Sequence, residues 1–171
     1  MSLQVRAALA ADCQSISSIA AATFALACPG NTPKEEITQY IQNNLLPAHF
    51  EALLQDEHKQ LRVLLKDADI VGYSLITLRP EPLGIDTADN VPELTRCYLS
   101  PSSHGTGAAQ FLLEHSLAGI TEPVRLTVND SNERAIRFYQ RNGFATVGET
   151  RFHCGADVHR DWVMLRQAGR G

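Results

Sequence analysis

Between Glu93 and Leu117 the chain reads E-L-T-R-C-Y-L-S-P-S-S-H-G-T-G-A-A-Q-F-L-L-E-H-S-L. Glu93 to Leu99 has the pattern of a strand, and Ser100-Pro101 stops it. A glycine-rich turn then leads into a helix from about Gly107 to Leu117. Gly105, Gly107, Ala108 and Ala109 leave the backbone of that turn bare. Successive N–H groups there can converge on an anion with the helix dipole assisting, which is phosphate-binding chemistry. A P-loop would need G-x-x-x-x-G-K-[ST], and no Lys follows. A dinucleotide fingerprint would need a third Gly where Gln110 stands, and an early strand-helix-strand unit.

The rest of the chain supplies the frame. Val5 starts a short strand, and Asp12 is placed to cap a helix with Ile16, Ile19, Ala20, Thr23 and Phe24 on one face. Cys28 to Asn31 is a loop. Thr32-Pro33-Lys34-Glu35 reads as a capping box with Pro at the first helical position. Ile37, Tyr40, Ile41 and Leu45 form that helix's apolar stripe, Pro47 ends it, and a short helix covers Phe50 to Leu54. Leu61–Leu65 and Ile70–Leu78 form a hairpin around Asp67-Ala68-Asp69. A loop runs from Arg79 to about Val91. After the glycine turn and its helix comes a strand, Val124–Val128. Asp130 and Glu133 frame the cap of another helix, which stops at Asn142-Gly143. Phe144–Phe152 and Val158–Leu165 close the chain as a hairpin around Gly155-Ala156-Asp157. Alternating strand and helix in the middle, with hairpins at the sides, gives a mixed α/β sheet.

The 171 residues are 44% hydrophobic and 20% charged, an ordinary globular composition that suits one domain and excludes disorder as the main character. The longest apolar-leaning run, Ile19 to Cys28, falls short of the ~18 residues a membrane span needs. Met1 to Asp12 lacks a basic segment followed by an apolar one, so a cytoplasmic location is expected. Cys13, Cys28, Cys97 and Cys154 lie far apart with no C-x-x-C, the pattern of four reduced thiols. The net charge of −4 argues against a nucleic-acid partner. Residues 1–124 carry 7 Lys/Arg and 14 Asp/Glu, whereas residues 125–171 carry 8 and 5. That asymmetry permits an anionic ligand near the second part and a cationic one near the first, or is plain scatter of surface charge.

Leu99-Ser100-Pro101, a short loop, then His104-Gly105-Thr106-Gly107-Ala108-Ala109 resembles the acetyl-CoA motif of the GNAT superfamily of N-acetyltransferases. That motif is hydrophobic-x-Pro followed by [QR]-x-x-G-x-[GA], and His104 departs from it. A second block follows: Leu126 to Asn132, Ala135-Ile136-Arg137-Phe138-Tyr139, and Asn142-Gly143-Phe144. It resembles the superfamily's N-x-x-A-x-x-F/L-Y-x-x-x-G-F. The closing stretch from Gly143 through Gly148, Phe152 and Gly155 to Asp161-Trp162-Val163-Met164 is similar to bacterial spermidine/spermine acetyltransferases. The resemblance implies one N-acetyltransferase domain over 1–171, with a mostly antiparallel central sheet and helices on both faces. It also implies acetyl-CoA as co-substrate, no metal, a small amine as acceptor, and a homodimer through the closing strand.

The implied reaction moves an acetyl group to a primary amine. With an amine pKa of about 10.4, only about one molecule in 2,500 is neutral at pH 7, so a proton acceptor is required. Glu93 matches the base glutamate of the histone-acetyltransferase relatives; the bland alternative is an exposed carboxylate at a strand end. Tyr139 is placed by the resemblance near the CoA sulfur, as acid or thiolate stabiliser, the alternative being a core aromatic beside Phe138. Full transfer from Tyr to a thiolate is uphill by about 2 kcal/mol, so a hydrogen bond is the easier role. Leu99 would place its N–H on the thioester carbonyl. His104, Gly105, Thr106, Gly107, Ala108 and Ala109 would hold the pyrophosphate. Asn132 either bonds the pantetheine arm or caps its helix. Arg137 and Arg141 meet the 3′-phosphate or stand as solvated charge. His49, His58, His115, His153 and His159 show no ligand spacing, although His153-Cys154 and His159 lie on facing arms of a hairpin. Cys97 is an unneeded nucleophile. Glu81, Asp86, Asp89 and Glu93, with Glu35, Glu36, Glu51, Asp56 and Glu57, suit a cationic, polyamine-like acceptor. Peptide amino groups, and a module that senses acetyl-CoA without turnover, remain alternatives.

Overall fold

Among the described residues, seven strands form one sheet in the order β1-β2-β3-β4-β5-β7-β6. They are β1 (Leu3–Ala7), β2 (Lys59–Lys66), β3 (Asp69–Thr77), β4 (Glu93–Leu99), β5 (Val124–Asn129), β6 (Phe144–Cys154) and β7 (Asp157–Arg166). The helices are α1 (Cys13–Ala27), α2 (Lys34–Asn44), α3 (Pro47–Leu54), α4 (Ala108–Leu117) and α5 (Glu133–Arg141). The computed structural model describes residues 2–168. Every neighbouring pair of strands is antiparallel except β4 and β5. The mixed sheet expected from the element order, with the mostly antiparallel pairing that the resemblance implies, is therefore the one observed.

Strand alternation gives the sheet two faces, and each is covered. On one face Leu61, Val63, Tyr73 and Leu75 pack against Ile16, Ala20 and Phe50 of α1 and α3, with Tyr40 and Ile41 of α2 at the edge. On the other, Leu64 and Leu99 meet Ala108 and Leu112 of α4. Ile76, Leu94 and Leu126 meet Leu113 and Leu117 of α4 together with Ile136 and Phe138 of α5. Among the described residues no helix is long and apolar enough to cross a membrane.

Several caps differ from the expected ones. Asp12 does not cap α1 with its side chain; its carboxylate accepts from the Leu9 N–H (2.8 Å) and pairs with Arg6 (2.7 Å). The capping box at Thr32 does not form, because Pro33 is the N-cap of α2 and the Thr32 hydroxyl lies 3.3 Å from His159 Nε2. A side chain from another element has outcompeted the local cap. Pro47 opens α3 rather than ending α2. Asn132, not Asp130, caps α5, and Asp130 instead accepts from Arg160 (2.9 Å).

Candidate active site

β4 and β5 share one paired position, Glu93 with Arg125. Beyond it the strands part, and a cleft of about 1220 Å³ opens, lined by Thr95, Cys97 and Leu99 on one side and Thr127 and Asn129 on the other. β4 also bulges. Leu75 faces Arg96 while Ile76 faces Leu94, which leaves Thr95 unpaired. Ser100 N–H donates to the Val71 carbonyl (2.7 Å). Since N–H direction alternates along a strand, the N–H groups of Leu99 and Cys97 turn away from β3 into the gap. The resemblance implied the Leu99 N–H; the Cys97 N–H was not expected, because the parting of the strands is a tertiary feature.

The glycine turn borders this cleft through His104, Gly105, Gly107 and Ala109. Among the described residues, the N–H groups of Gly105, Thr106, Gly107 and Ala108 donate to no backbone carbonyl. Gly105 (φ +78°) and Gly107 (φ +81°) sit in the left-handed region, with nothing within 4 Å of where a Cβ would stand. The loop is thus a set of free donors facing open space, the form an anion cradle takes. Thr106 contributes only its backbone, since its hydroxyl donates to the Ser103 carbonyl (2.6 Å). Ala108 likewise packs its methyl into the core and offers only its N–H. Arg134 Nη1 lies 3.0 Å from His104 Nδ1, a contact in which that ring nitrogen must be the acceptor. Asn132 caps α5, accepting from the Ala135 N–H (3.3 Å), and also lines the cleft. Arg141 reaches the cleft wall, whereas Arg137 is exposed and pairs with Glu133 (3.8 Å).

At the closed root of the cleft, Glu93 accepts from the Thr95 hydroxyl (2.9 Å) and from Arg125 Nε (2.9 Å). Arg125 is buried and completes its shell with the carbonyls of Ala88 (3.1 Å) and Glu81 (2.6 Å). Asp89 lies 3.6 Å from its Nη1 and also accepts from the N–H groups of Leu83 and Gly84. One guanidinium therefore ties the loop before β4 to both strands. At about 3.3 Å per residue, with the bulge at Thr95 taking up one position, Glu93 sits about 10 Å along the strand from Cys97 and about 17 Å from Leu99.

Tyr139 lines the cleft from α5, packed against Phe138 and Phe144 with centroids 5.4 and 5.7 Å away. Burial, then the neighbouring Cys97 and Tyr98, push its hydroxyl well above the ordinary tyrosine range. Burial also pushes the Cys97 thiol up to about 12, which keeps it protonated and speaks against the nucleophile reading.

Three charged cleft residues escaped the sequence reading as site residues: Arg134, Arg96 and Asp161. Arg96 lies over the Phe50 ring (5.6 Å), and its Nη1 is buried without a hydrogen-bond partner. Asp161 faces Asn129 across β5 and β7. Burial, reinforced by Asp130 and opposed by His159 and Asn129, pushes its carboxyl up to about 6. The signal was present in both strands, since a charged residue inside an apolar strand is either paired or functional. His159 stands opposite Phe152 rather than His153, and its Nε2 meets Asp157 at 2.6 Å. Among the described residues no group of three or more His, Cys, Asp or Glu side chains gathers in a metal-holding arrangement. All four cysteines are free.

Comparison with known proteins agrees with this geometry. The family model described as the acetyltransferase (GNAT) family matches residues 24–144. An uncharacterized N-acetyltransferase of Mycobacterium bovis, Mb2688, is 36% identical over 160 residues, covering 91% of this chain and 97% of its own. The peptidyl-lysine N-acetyltransferase YjaB of Escherichia coli is 26% identical over 126 residues, covering 74% of this chain and 79% of its own. Among solved structures, the PaiA N-acetyltransferase of Thermoplasma acidophilum in complex with coenzyme A superposes with a TM-score of 0.76 at 19% identity, covering 98% and 99% of the two chains.

Proposed function

The chain belongs to the acetyltransferase (GNAT) family, and from that premise we propose that it transfers the acetyl group of acetyl-CoA directly to a primary amine of a small acceptor. The observation that carries this reading is the set of free N–H groups at 105–108 beside a cleft where β4 and β5 part. In this reading those donors hold the pyrophosphate, and Arg134 and Arg141 add positive charge on the same wall. The N–H groups of Leu99 and Cys97 lie where a thioester arm entering the gap would meet them, and one of them stabilises the oxyanion as the amine attacks. The carbon–sulfur bond then breaks and the sulfur leaves as thiolate.

Tyr139 is the group assigned to that thiolate. Its raised pKa makes full proton transfer costlier than for an ordinary tyrosine, so it acts as a hydrogen-bond donor. Glu93 is assigned to receive the amine's proton. Both its oxygens already accept one donor, and each keeps a further lone pair. Its distance along the strand from Cys97 makes ordered water the carrier.

The polyamine-like acceptor draws on the carboxylates near the cleft. Of these, Asp89 and Glu93 are already engaged with Arg125, and Arg96, Arg134 and Arg141 share the cleft wall. Acetylation of a peptide amino group is a second reading, favoured by the likeness to YjaB. The single domain, cytoplasmic location and homodimer stay with the proposal as parts of the same family reading.

CoA release from acetyl-CoA over a panel of polyamines, amino acids, peptides and aminoglycosides tests it. A blank without acceptor corrects for the four thiols. Release with one acceptor class is the expected result. Acetyl-CoA binding with no release for any amine would point to a sensor, and no binding would end the proposal.

A further inference from the structure

The strand face turned toward α1–α3 carries an arrangement that the proposed acetyl transfer does not itself require. Arg96 sits in the middle of β4, over the Phe50 ring, with Nη1 buried and unpaired. Among the described residues it takes part in no ion pair. A guanidinium is always charged and has five donors, and leaving a buried donor unmade is costly. Contrast Arg125, one strand away, whose donors are met by Glu93, Ala88 and Glu81. The same chain thus satisfies its buried arginine and leaves Arg96, half-buried on the cleft wall, without an ion pair among the described residues.

The surroundings narrow what could complete it. Arg96 is remote from the glycine turn in packing: it meets the aromatic cluster of Phe50, Tyr73 and Tyr98, whereas the turn leads into α4 on the opposite face. The pyrophosphate of a nucleotide on the turn is therefore not its partner. Asp161 is the other charged group in this part of the cleft. Arg96 and Asp161 both act on the Tyr98 hydroxyl, Arg96 favouring its ionised form and Asp161 opposing it. Asp161 pairs with Asn129 at the end of β5, across the gap from β4, and both line the cleft. A cation on β4 and a carboxylate on β7 thus line the same cleft as Tyr98. Phe24, Tyr40 and Phe152 close around the cleft as a mutually packed aromatic group, with Phe24 and Tyr40 stacked at 4.2 Å.

We propose that the acceptor is a free amino acid with an apolar or aromatic side chain, its carboxylate held by Arg96 and its ammonium facing Asp161. The guanidinium supplies the planar pair of donors that a carboxylate matches. The aromatic group takes the side chain, and the nitrogen is left beside the gap into which β4 turns its N–H groups. This inference rests on the acetyltransferase reading and specifies its acceptor.

The test compares acids with their carboxylate-free partners. CoA release is followed with L-phenylalanine, 2-phenylethylamine, L-phenylalaninamide and spermidine, using the wild-type chain and Arg96→Met. The expected result is a kcat/KM for phenylalanine about 100-fold above those of the amine and the amide, the size set by truncating one partner of a buried charge pair. Arg96→Met should raise the KM for phenylalanine by a similar factor and leave the KM for acetyl-CoA unchanged. Arg96 is half-buried and has no ion pair among the described residues, so its removal should not impair folding, and the comparison among acceptors needs no variant. Equal turnover of phenylalanine and 2-phenylethylamine, a preference for spermidine, or an unchanged KM in Arg96→Met would overturn the assignment while leaving acetyl transfer intact. If nothing is turned over, calorimetry with phenylalanine in the presence of CoA decides, and absence of binding overturns it. Failure of acetyl-CoA itself to bind is a separate result that removes the underlying reading.

Discussion

Replacing Arg125 by Met should be among the most damaging single changes in the sheet. The side chain is 2% exposed, close to the volume of Met, and surrounded by acceptors. Met would fill most of the space but meet none of them. The Glu93 carboxylate, 16% exposed, would keep only the Thr95 hydroxyl. The carbonyls of Ala88 and Glu81 would lose their donors, and the 79–92 loop would keep only the Arg125 N–H bond to the Pro92 carbonyl as its tie to β5. Breaking a buried ion pair from one side costs about 3–5 kcal/mol, mostly through the charge left behind. For a chain of this size that is a fall in Tm of about 10–15 °C. Urea unfolding followed by circular dichroism at low temperature gives the free energy directly. The double variant Arg125→Met/Glu93→Gln should recover about 1–2 kcal/mol, because the only charge then left without a cation is Asp89, which keeps the N–H groups of Leu83 and Gly84. A loss under about 1 kcal/mol in the single variant would refute the view that this guanidinium locks loop to sheet. No recovery in the double would show that packing, and not charge, carries the cost.

Other outcomes are equally specific. Tyr139→Phe should lower kcat about 10- to 100-fold, the worth of one hydrogen bond to a charged group, with the KM for acetyl-CoA within about twofold; an unchanged kcat would return Tyr139 to the core-aromatic reading. Gly107→Ala places a Cβ at φ +81° and should destabilise by about 1 kcal/mol while raising the KM for acetyl-CoA, measured by thermal melting and initial rates. Asp161→Asn tests the raised carboxyl. Its folded value of about 6 lies above the unfolded value near 3.9, so the folded state binds the proton more tightly and the wild type loses stability as pH rises through that window. The variant should therefore be more stable at pH 8, by about 1 kcal/mol after allowing for partial solvent screening, and equal to wild type at pH 3. Equal melting of the two at pH 8 would contradict the burial of that group.

Element order and the glycine turn were legible because both are local. A strand stopped by Ser100-Pro101, a turn that needs positive φ, and a helix opening on small residues are all fixed within about twenty residues. What the sequence hid was choice of partner. Thr32 has every local reason to cap α2, yet its hydroxyl turns to His159, more than a hundred residues away. Asp12 takes Arg6 and Leu9 in place of the helix it precedes. Arg125 and Arg96 look alike in the chain, each a lone cation in an apolar strand, and only tertiary placement tells the satisfied one from the open one. The acidic stretch before β4 suggested affinity for cations, and the fold instead turns Asp89 and Glu93 onto Arg125. Where Glu93, Tyr139 and Leu99 fall on one cleft could be guessed only through the family resemblance, since the gap between β4 and β5 leaves no mark in either strand.

The single pairing of β4 with β5 also sets how solvent reaches the sheet. Cys97 and Leu99 lie mid-chain in a central strand, where amide protons ordinarily exchange only on global unfolding. Their N–H groups face a gap and not a neighbouring strand, so their deuterium uptake should resemble that of a loop. The flanking amides of Tyr98 and Ser100, directed at β3, should stay protected. A central strand would then show fast and slow amides in strict alternation, and a bound thioester would slow only the fast ones.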